Sequence, residues 1–454
     1  MSSILVALVH SLFDLLLGWA LLCFRSGWRP QAAHLPAAFL LGLYVETLFV
    51  GSLVLSGVPL TAAVGVMVGV ALAVVVVAWR RGVLQSPVLS LPPLKWYEWL
   101  VLVSIAEKLI FAAWQLTRVP LYFDDASTHW AGRARALFSG FNWSLDPNSP
   151  VRLGVRGGLG HPQYPLMLIV WRAESAVVNG SWDDFLARAD GWFFLLVIVA
   201  TVWFAVWQFS QTRWFAALAA FATAAVPHFA WHAAAGYSDI AVAAFAIAAL
   251  AALLRGEWGL GGILAAGSAW AKNDGLVLVL PAMFVASLLL PRWGERRRAV
   301  GWFLVGCATL TPWFLAKAAL GLGVTPNDNK LAWHPEAIEQ IWDLVITGPT
   351  SSILWIGVAI AILGSGRKLF RDSTGRALLA AFTVTCAALY FVFGCTDAYV
   401  FLENQMTIHR SVLQIAPVAI LVSFYAVWLQ IRDWSNPTVQ PKNASPQAKS
   451  AGGR

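Results

Sequence analysis

An all-α polytopic membrane protein is the fold class this sequence predicts, and three observations carry the prediction. Of 454 residues, 59% are hydrophobic and only 12% are charged, about half the charged fraction of a soluble chain. Apolar runs long enough to cross a bilayer recur from one end of the chain to the other. Many of the 25 tryptophans sit at the ends of those runs (Trp79, Trp96, Trp99, Trp114, Trp214, Trp258, Trp293), where an amphipathic ring sits half in headgroups and half in hydrocarbon. A net charge of +8 would suggest nucleic acid in a soluble protein. Here the basic residues cluster in short loops and set orientation, so no nucleic-acid partner is expected. Cys23, Cys307, Cys386 and Cys395 lie in or at the ends of apolar runs without paired spacing, and read as small hydrophobes.

Three runs open the chain, at 4–24, 36–55 and 60–79. The first lacks a basic leader and a small-residue cleavage site and reads as a retained span. Arg25 and Arg29 after the first run, and Arg80 and Arg81 after the third, place those ends in the cytoplasm. A proline- and serine-rich linker, 82–94, leads to the span 97–116, which carries the chain outward. The region 117–190 is long and polar. Its arginines, among them Arg118, Arg152 and Arg156, break the basic-inside trend, and an anionic ligand is the simplest reason. Within it, Trp130, Ala134, Leu137 and Phe141 share one helical face while His129, Arg133 and Arg135 occupy the rest, the pattern of an interfacial helix. The stretch 164–178 is apolar but short, and its Arg172 and Glu174 would each cost roughly 2.5–3.5 kcal/mol at mid-bilayer. It therefore reads as a second interfacial or re-entrant helix.

Spans at 186–209, 214–227, 237–254 and 260–271 follow. As one helix, 260–290 would be roughly 45 Å long, too much for a ~30 Å hydrocarbon core, so a fold is expected at Lys272-Asn273-Asp274-Gly275. Spans at 302–320, 351–363, 377–394 and 411–430 alternate with arginine-rich loops at 291–298 and 364–376, about 13 spans by hydropathy window. The division of the chain is then 1–96 as a three-span extension with its linker, 97–431 as a catalytic domain with the external loop 117–190, and 432–454 as a disordered cytoplasmic tail.

With this topology the unusual polar groups arrive on the extracytoplasmic side. Asp124 and Asp125 either cap the following helix or supply a general base, which must touch the acceptor to take its proton. Arg133 and Arg135 either snorkel to lipid phosphates or clamp a ligand phosphate. His161 and Tyr164 belong to a proline-rich entry, His161-Pro162-Gln163-Tyr164-Pro165, with His161 offering a donor to a phosphate or sugar hydroxyl. Asp239 caps a span or joins the site. Lys272 and Asp274 sit near membrane depth, where charges are costly unless paired or used, and a phosphate or sugar contact is preferred for them. Arg410 opens the last span as an anchor or a ligand. His228 and His232 read as locally hydrogen-bonded. No spacing matches a zinc site, a Ser-His-Asp set or a phosphate-binding glycine loop.

At these residues the sequence resembles the GT-C glycosyltransferases, particularly the family 39-like bacterial proteins related to protein O-mannosyltransferases and lipid A aminoarabinose transferases. The matching phrases are Asp124-Asp125 followed by Trp130 and 134–137, then 161–166, 237–239, 271–275 and Arg410. The resemblance covers 97–290 and, loosely, the last three spans; the first three lie outside it. It implies a GT-C type transmembrane helix bundle and a polyprenyl-phosphate-linked sugar donor used on the extracytoplasmic side of a bacterial-type inner membrane. The acceptor would be an envelope glycan, lipid or protein. Carried over, Asp124 is the base of an inverting single displacement, and Arg135, His161, Lys272 or Arg410 receive the charge on the leaving phosphate. Asp125 stands where a glutamate is common, and His161 where some members have lysine. No cofactor is expected, although some relatives with paired acids bind a divalent metal. The rival is a polytopic transporter or flippase of a lipid-linked or small anionic substrate, since intramembrane charges also mark substrate paths.

Overall fold

The computed structural model describes residues 2–24, 31–87, 94–121, 125–140, 163–322, 330–347, 352–403 and 406–435. Among them every regular element is helical. The first four helices are long: α1 (Ser3–Cys23), α2 (Leu35–Leu55), α3 (Leu60–Arg80) and α4 (Trp96–Arg118). A π-helical turn, Ala126–Gly132, runs into the short α5 (Arg133–Phe138), and α6 (Met167–Asn179) follows. Then come α7 (Leu186–Ser210), α8 (Arg213–Ala224), α9 (Pro227–Ala235), α10 (Asp239–Leu254) and α11 (Trp258–Ala271). A second π turn, Gly275–Val279, enters α12 (Leu280–Leu289), followed by α13 (Arg296–Cys307) and α14 (Thr311–Ala319). The chain closes with α15 (Ala337–Trp342), α16 (Ser352–Arg371), α17 (Ser373–Gly394), α18 (Val400–Glu403) and α19 (Met406–Ser435).

Nine of the described helical segments are long and apolar enough to span a membrane, or ten if α8 and α9, bent by 58°, form one broken span. The chain is thus a multi-pass membrane protein, with fewer full spans than the window reading of about 13. The difference lies in the middle of the chain, where α10, α11 and α12 are apolar but short. A hydropathy window registers apolar content and cannot distinguish a helix facing lipid from one enclosed by protein. Helix α10 is of the second kind: from Asp239 to Leu253 every residue is buried, between α11, α7 and α19. By contrast α3 and α4 show most of their side chains outward, as expected of helices whose solvent is lipid.

The expected break after α11 is present. Lys272 leaves the helix in extended conformation, and Gly275 lies so close to Ser268 that a Cβ there would stand 2.2 Å from that residue's backbone. Only glycine lets the chain turn back against α11 at this distance. The interfacial placement of α5 and α6 is corrected. Arg133 is 1% exposed and Arg172 and Glu174 likewise; α5 packs on α6, and α6 is covered by α1, α2 and α7. The protein interior, rather than the headgroup layer, encloses these side chains, and partners meet the two arginines there: Arg172 donates to Asp190 (2.8 Å) and to the Gly236 carbonyl (3.0 Å), and Arg133 to the Tyr164 carbonyl (3.4 Å).

Helices α1 and α2 share one continuous hydrophobic core with the rest of the chain, through α19. They approach each other backbone to backbone. A Cβ on Gly18 would stand 1.8 Å from the Ala38 carbonyl oxygen, and one on Gly42 1.8 Å from that of Asp14, the close crossing that small residues permit in membranes. Helix α19 continues to Ser435; the remainder of the expected tail lies outside the described residues.

Candidate functional site

Four helix ends meet at one end of the bundle and bring together most of the charged residues singled out above. Asp239 is the first residue of α10, reached through a turn at Gly236 with φ +81, a conformation glycine adopts without cost. Lys272 and Asp274 lie in the break after α11. Arg410 is in the first turns of α19, and Asp125 precedes the π turn into α5.

Asp239 is the hub. Its Oδ1 accepts from Lys272 Nζ (2.9 Å) and from Gln414 Nε2 (2.8 Å), and its Oδ2 from Arg410 Nε (3.1 Å). Asp274 Oδ2 accepts from the same two donors, Lys272 Nζ (2.7 Å) and Gln414 Nε2 (2.8 Å). Arg410 also pairs through Nη1 with Asp125, and its guanidinium lies 4.2 Å over the Tyr237 ring. Asp239 is wholly buried, whereas Asp274 and Asp125 are partly open, at 28% and 36% side-chain exposure. Burial alone would raise the Asp125 carboxyl, but Arg410 and His129 outweigh it and hold it below the usual carboxylate range.

Gln414 was not singled out from the sequence. The available signal was its spacing: four residues after Arg410, it shares a helical face with it. Tyr164 is present at the cluster's edge, packed on Trp130 with ring centroids 5.3 Å apart and within electrostatic reach of Lys272, Asp274 and Asp125. Its backbone oxygen accepts from Arg133 Nη1 (3.4 Å), so Arg133 braces the loop from the interior. Arg135 is exposed. Asp124 and His161 lie outside the described residues, as do Arg152 and Arg156.

Beside the cluster is a cavity of about 360 Å³ lined by Pro227, His228, Trp231, His232, Tyr237, His409 and Arg410. His228 and His409 stack with ring centroids 5.4 Å apart. His232 is buried, yet neither ring nitrogen has a hydrogen-bond partner among the described residues. That differs from the local hydrogen bonding expected of it, and leaves a donor–acceptor group at a cavity wall. The cations do not form an unmatched positive nest among the described residues. Lys272 gives two of its three donors to carboxylates, and Asp125, Asp239 and Asp274 together face Lys272 and Arg410.

Comparison of the chain with protein-family models, with curated proteins and with solved structures finds no match in any of the three. The fold and site together define the class: a multi-pass helical membrane protein with a buried ion network opening onto a cavity at one end of its bundle.

Proposed function

We propose that the protein is an integral-membrane glycosyltransferase that moves a sugar from a polyprenyl-phosphate donor to an envelope acceptor on the extracytoplasmic side. The carrying observation is the convergence of Asp125, Asp239, Lys272, Asp274 and Arg410 from separate helix ends into one ion network, whose Arg410 lines a cavity, as a reaction site assembled from several loops requires. Asp124, adjacent to Asp125, would take the proton of an acceptor hydroxyl or amine as that atom attacks the anomeric carbon. The bond from that carbon to the phosphate oxygen breaks, the configuration inverts, and polyprenyl phosphate leaves with the electron pair. Arg410 already lines the cavity, and exchanging a carboxylate partner for phosphate would let it receive that charge. The paired state then keeps the cations in place before the donor arrives.

A transporter or flippase of a lipid-linked or small anionic substrate is the second reading, and the internally matched charges favour it, because ion pairs that exchange partners also suit a translocation path. The deciding experiment is sugar transfer in proteoliposomes loaded with polyprenyl-phosphate sugars. Asp124→Asn is expected to abolish transfer at normal protein levels. Full activity in that variant removes the base assignment, and solute movement without a lipid-linked sugar supports the transporter.

A further inference from the structure

Apart from the α10–α19 ion network, α1, α2 and α6 enclose a second polar cluster that the proposed reaction does not use. Asp14 and Glu46 occupy the middle of α1 and α2, and Glu174 faces them from α6. All three are buried, as is His10, one turn before Asp14. One ligand atom each from His10, Asp14 and Glu46 lie within 4.8 Å of one another, and Glu174 is within electrostatic reach of Asp14 and Glu46.

The hydrogen bonds around this cluster leave a deficit. Ser175 donates its single hydroxyl proton to the Trp171 carbonyl (3.0 Å), one turn back along α6. Its oxygen lies 2.7 Å from His10 Nδ1 and can accept from it, the arrangement that leaves Nε2 free to bind a metal. Nε2 lies 3.0 Å from Glu46 Oε1. The ring is held in this orientation by stacking on Trp171, with centroids 4.7 Å apart and planes 4° from parallel. Trp171 Nε1 donates to Asp14 Oδ2 (2.9 Å). Asp14 Oδ1, Glu46 Oε2 and both oxygens of Glu174 have no donor among the described residues. Buried carboxylate oxygens left so are very costly.

We propose that His10, Asp14 and Glu46 hold a divalent metal ion, whose charge also answers the buried Glu174 beside them. A shared proton between Asp14 and Glu46 would satisfy one contact and leave Glu174 unmet; a divalent cation answers the His10 lone pair and the carboxylates together. The donor set, one imidazole nitrogen with carboxylate oxygens, suits Zn²⁺ or Mn²⁺. Ligand atoms around one such ion, each about 2.0–2.2 Å from it, stand roughly 3–4 Å apart; His10 Nε2 and Glu46 Oε1 are 3.0 Å apart, and ligand atoms of the three residues lie within 4.8 Å of one another. The Ser175–His10 bond is the outer contact that sets tautomer and ring orientation in metal-binding histidines. Gly18 and Gly42 make the site possible, since only their backbone contact brings Asp14 and Glu46 this close. With its ligands buried, the ion would enter as the helices assemble and stay. It would pin α6, and through Arg172 and Asp190 the turn at Gly236 that presents Asp239.

The test is elemental analysis of the full chain purified in detergent after growth with Zn²⁺ and Mn²⁺ supplied. About one ion per chain is expected for the unaltered protein. At least a tenfold loss is expected for Asp14→Asn/Glu46→Gln, whose side chains keep the native shape, and a 10–100-fold weaker hold for Ser175→Ala, which frees the ring. An unaltered protein carrying less than a tenth of an ion per chain overturns the proposal, whether or not the variants fold. So does equal metal content in the double variant. Because the readout is bound metal rather than sugar transfer, its failure is separate from failure of the proposed activity.

Discussion

The two charge clusters both gather carboxylates from separate helices, and they differ in whether cations meet those carboxylates: Lys272 and Arg410 do so in the first, and no lysine or arginine bonds those of the second among the described residues. At the α10–α11–α19 ends, Asp239 receives three donors and Asp274 two. Between α1, α2 and α6, carboxylates meet carboxylates and a histidine ring, and four oxygens have no donor among the described residues. The first cluster completes itself when the helices pack. The second, among the described residues, does not. A network of the first kind can reorganise around an incoming anion by exchanging partners; one of the second kind is organised around a positive charge from the outset.

This contrast predicts unequal sensitivity. The largest effect is expected at Asp239. Asp239→Ala would take the buried carboxylate from both Lys272 and Arg410 and leave them only the partly open Asp274 and Asp125, and breaking a buried pair from one side costs up to about 3–5 kcal/mol. Thermal unfolding in detergent should show the largest drop of any single variant here; a change within ordinary surface scatter would mean that the network is open to water. Next is Gly42→Leu. Its side chain would be driven into the Asp14 backbone, overpacking of this kind costs about 1–3 kcal/mol, and α1 and α2 must separate. The same variant should lose bound metal, linking helix approach to the second cluster alone.

Gln414→Leu removes a neutral donor shared by two carboxylates, for an expected cost of about 2 kcal/mol, read from the same unfolding curves. Acidification should have a smaller effect. Asp125 is held below the usual carboxylate range by Arg410, so its contribution is full above that range and fades as pH falls through its depressed folded-state value. Arg410→Gln should remove that part of the acid dependence. The smallest effect belongs to Arg135→Ala, expected within about 0.5 kcal/mol of the unaltered protein because the side chain is exposed. If Arg135 contacts the donor phosphate, transfer from a polyprenyl-phosphate sugar would weaken at constant stability.

The segment around Asp125 illustrates how sequence periodicity can locate an element and still misplace its environment. The spacing of Trp130, Ala134 and Leu137 does mark a buried helical face, and all three are buried. The opposite face was read as a cationic strip in the headgroups because Arg133 and Arg135 fall on it. In the structure Arg133 turns inward to the Tyr164 carbonyl and only Arg135 stays outside. A helical pattern records which residues share a face and does not say how many faces a second helix covers, and here α6 covers more than one. The break at Lys272 was legible because length set against bilayer thickness forced it. The pairing of Lys272 with both Asp239 and Asp274 was not, since Asp239 arrives from 33 residues away. Asp14 and Glu46, single acids in the middle of apolar runs, are absent from the residues singled out above although a charge at that depth is itself a signal; what they do depends on neighbours that only packing supplies.

By itself the sequence determined that this chain is a helical, multi-pass membrane protein, because the hydrophobic effect and the bilayer's thickness act on composition and run length alone. It also marked most of the residues that meet at the ends of α10, α11 and α19, since a charge in an apolar chain stands out wherever it falls. The tertiary structure alone decided which apolar helices face lipid and which are enclosed, which cation answers which acid, and that α1 and α2 touch at Gly18 and Gly42. Those outcomes depend on contacts between residues far apart in the chain, and no local pattern encodes the distance at which two helices come to rest.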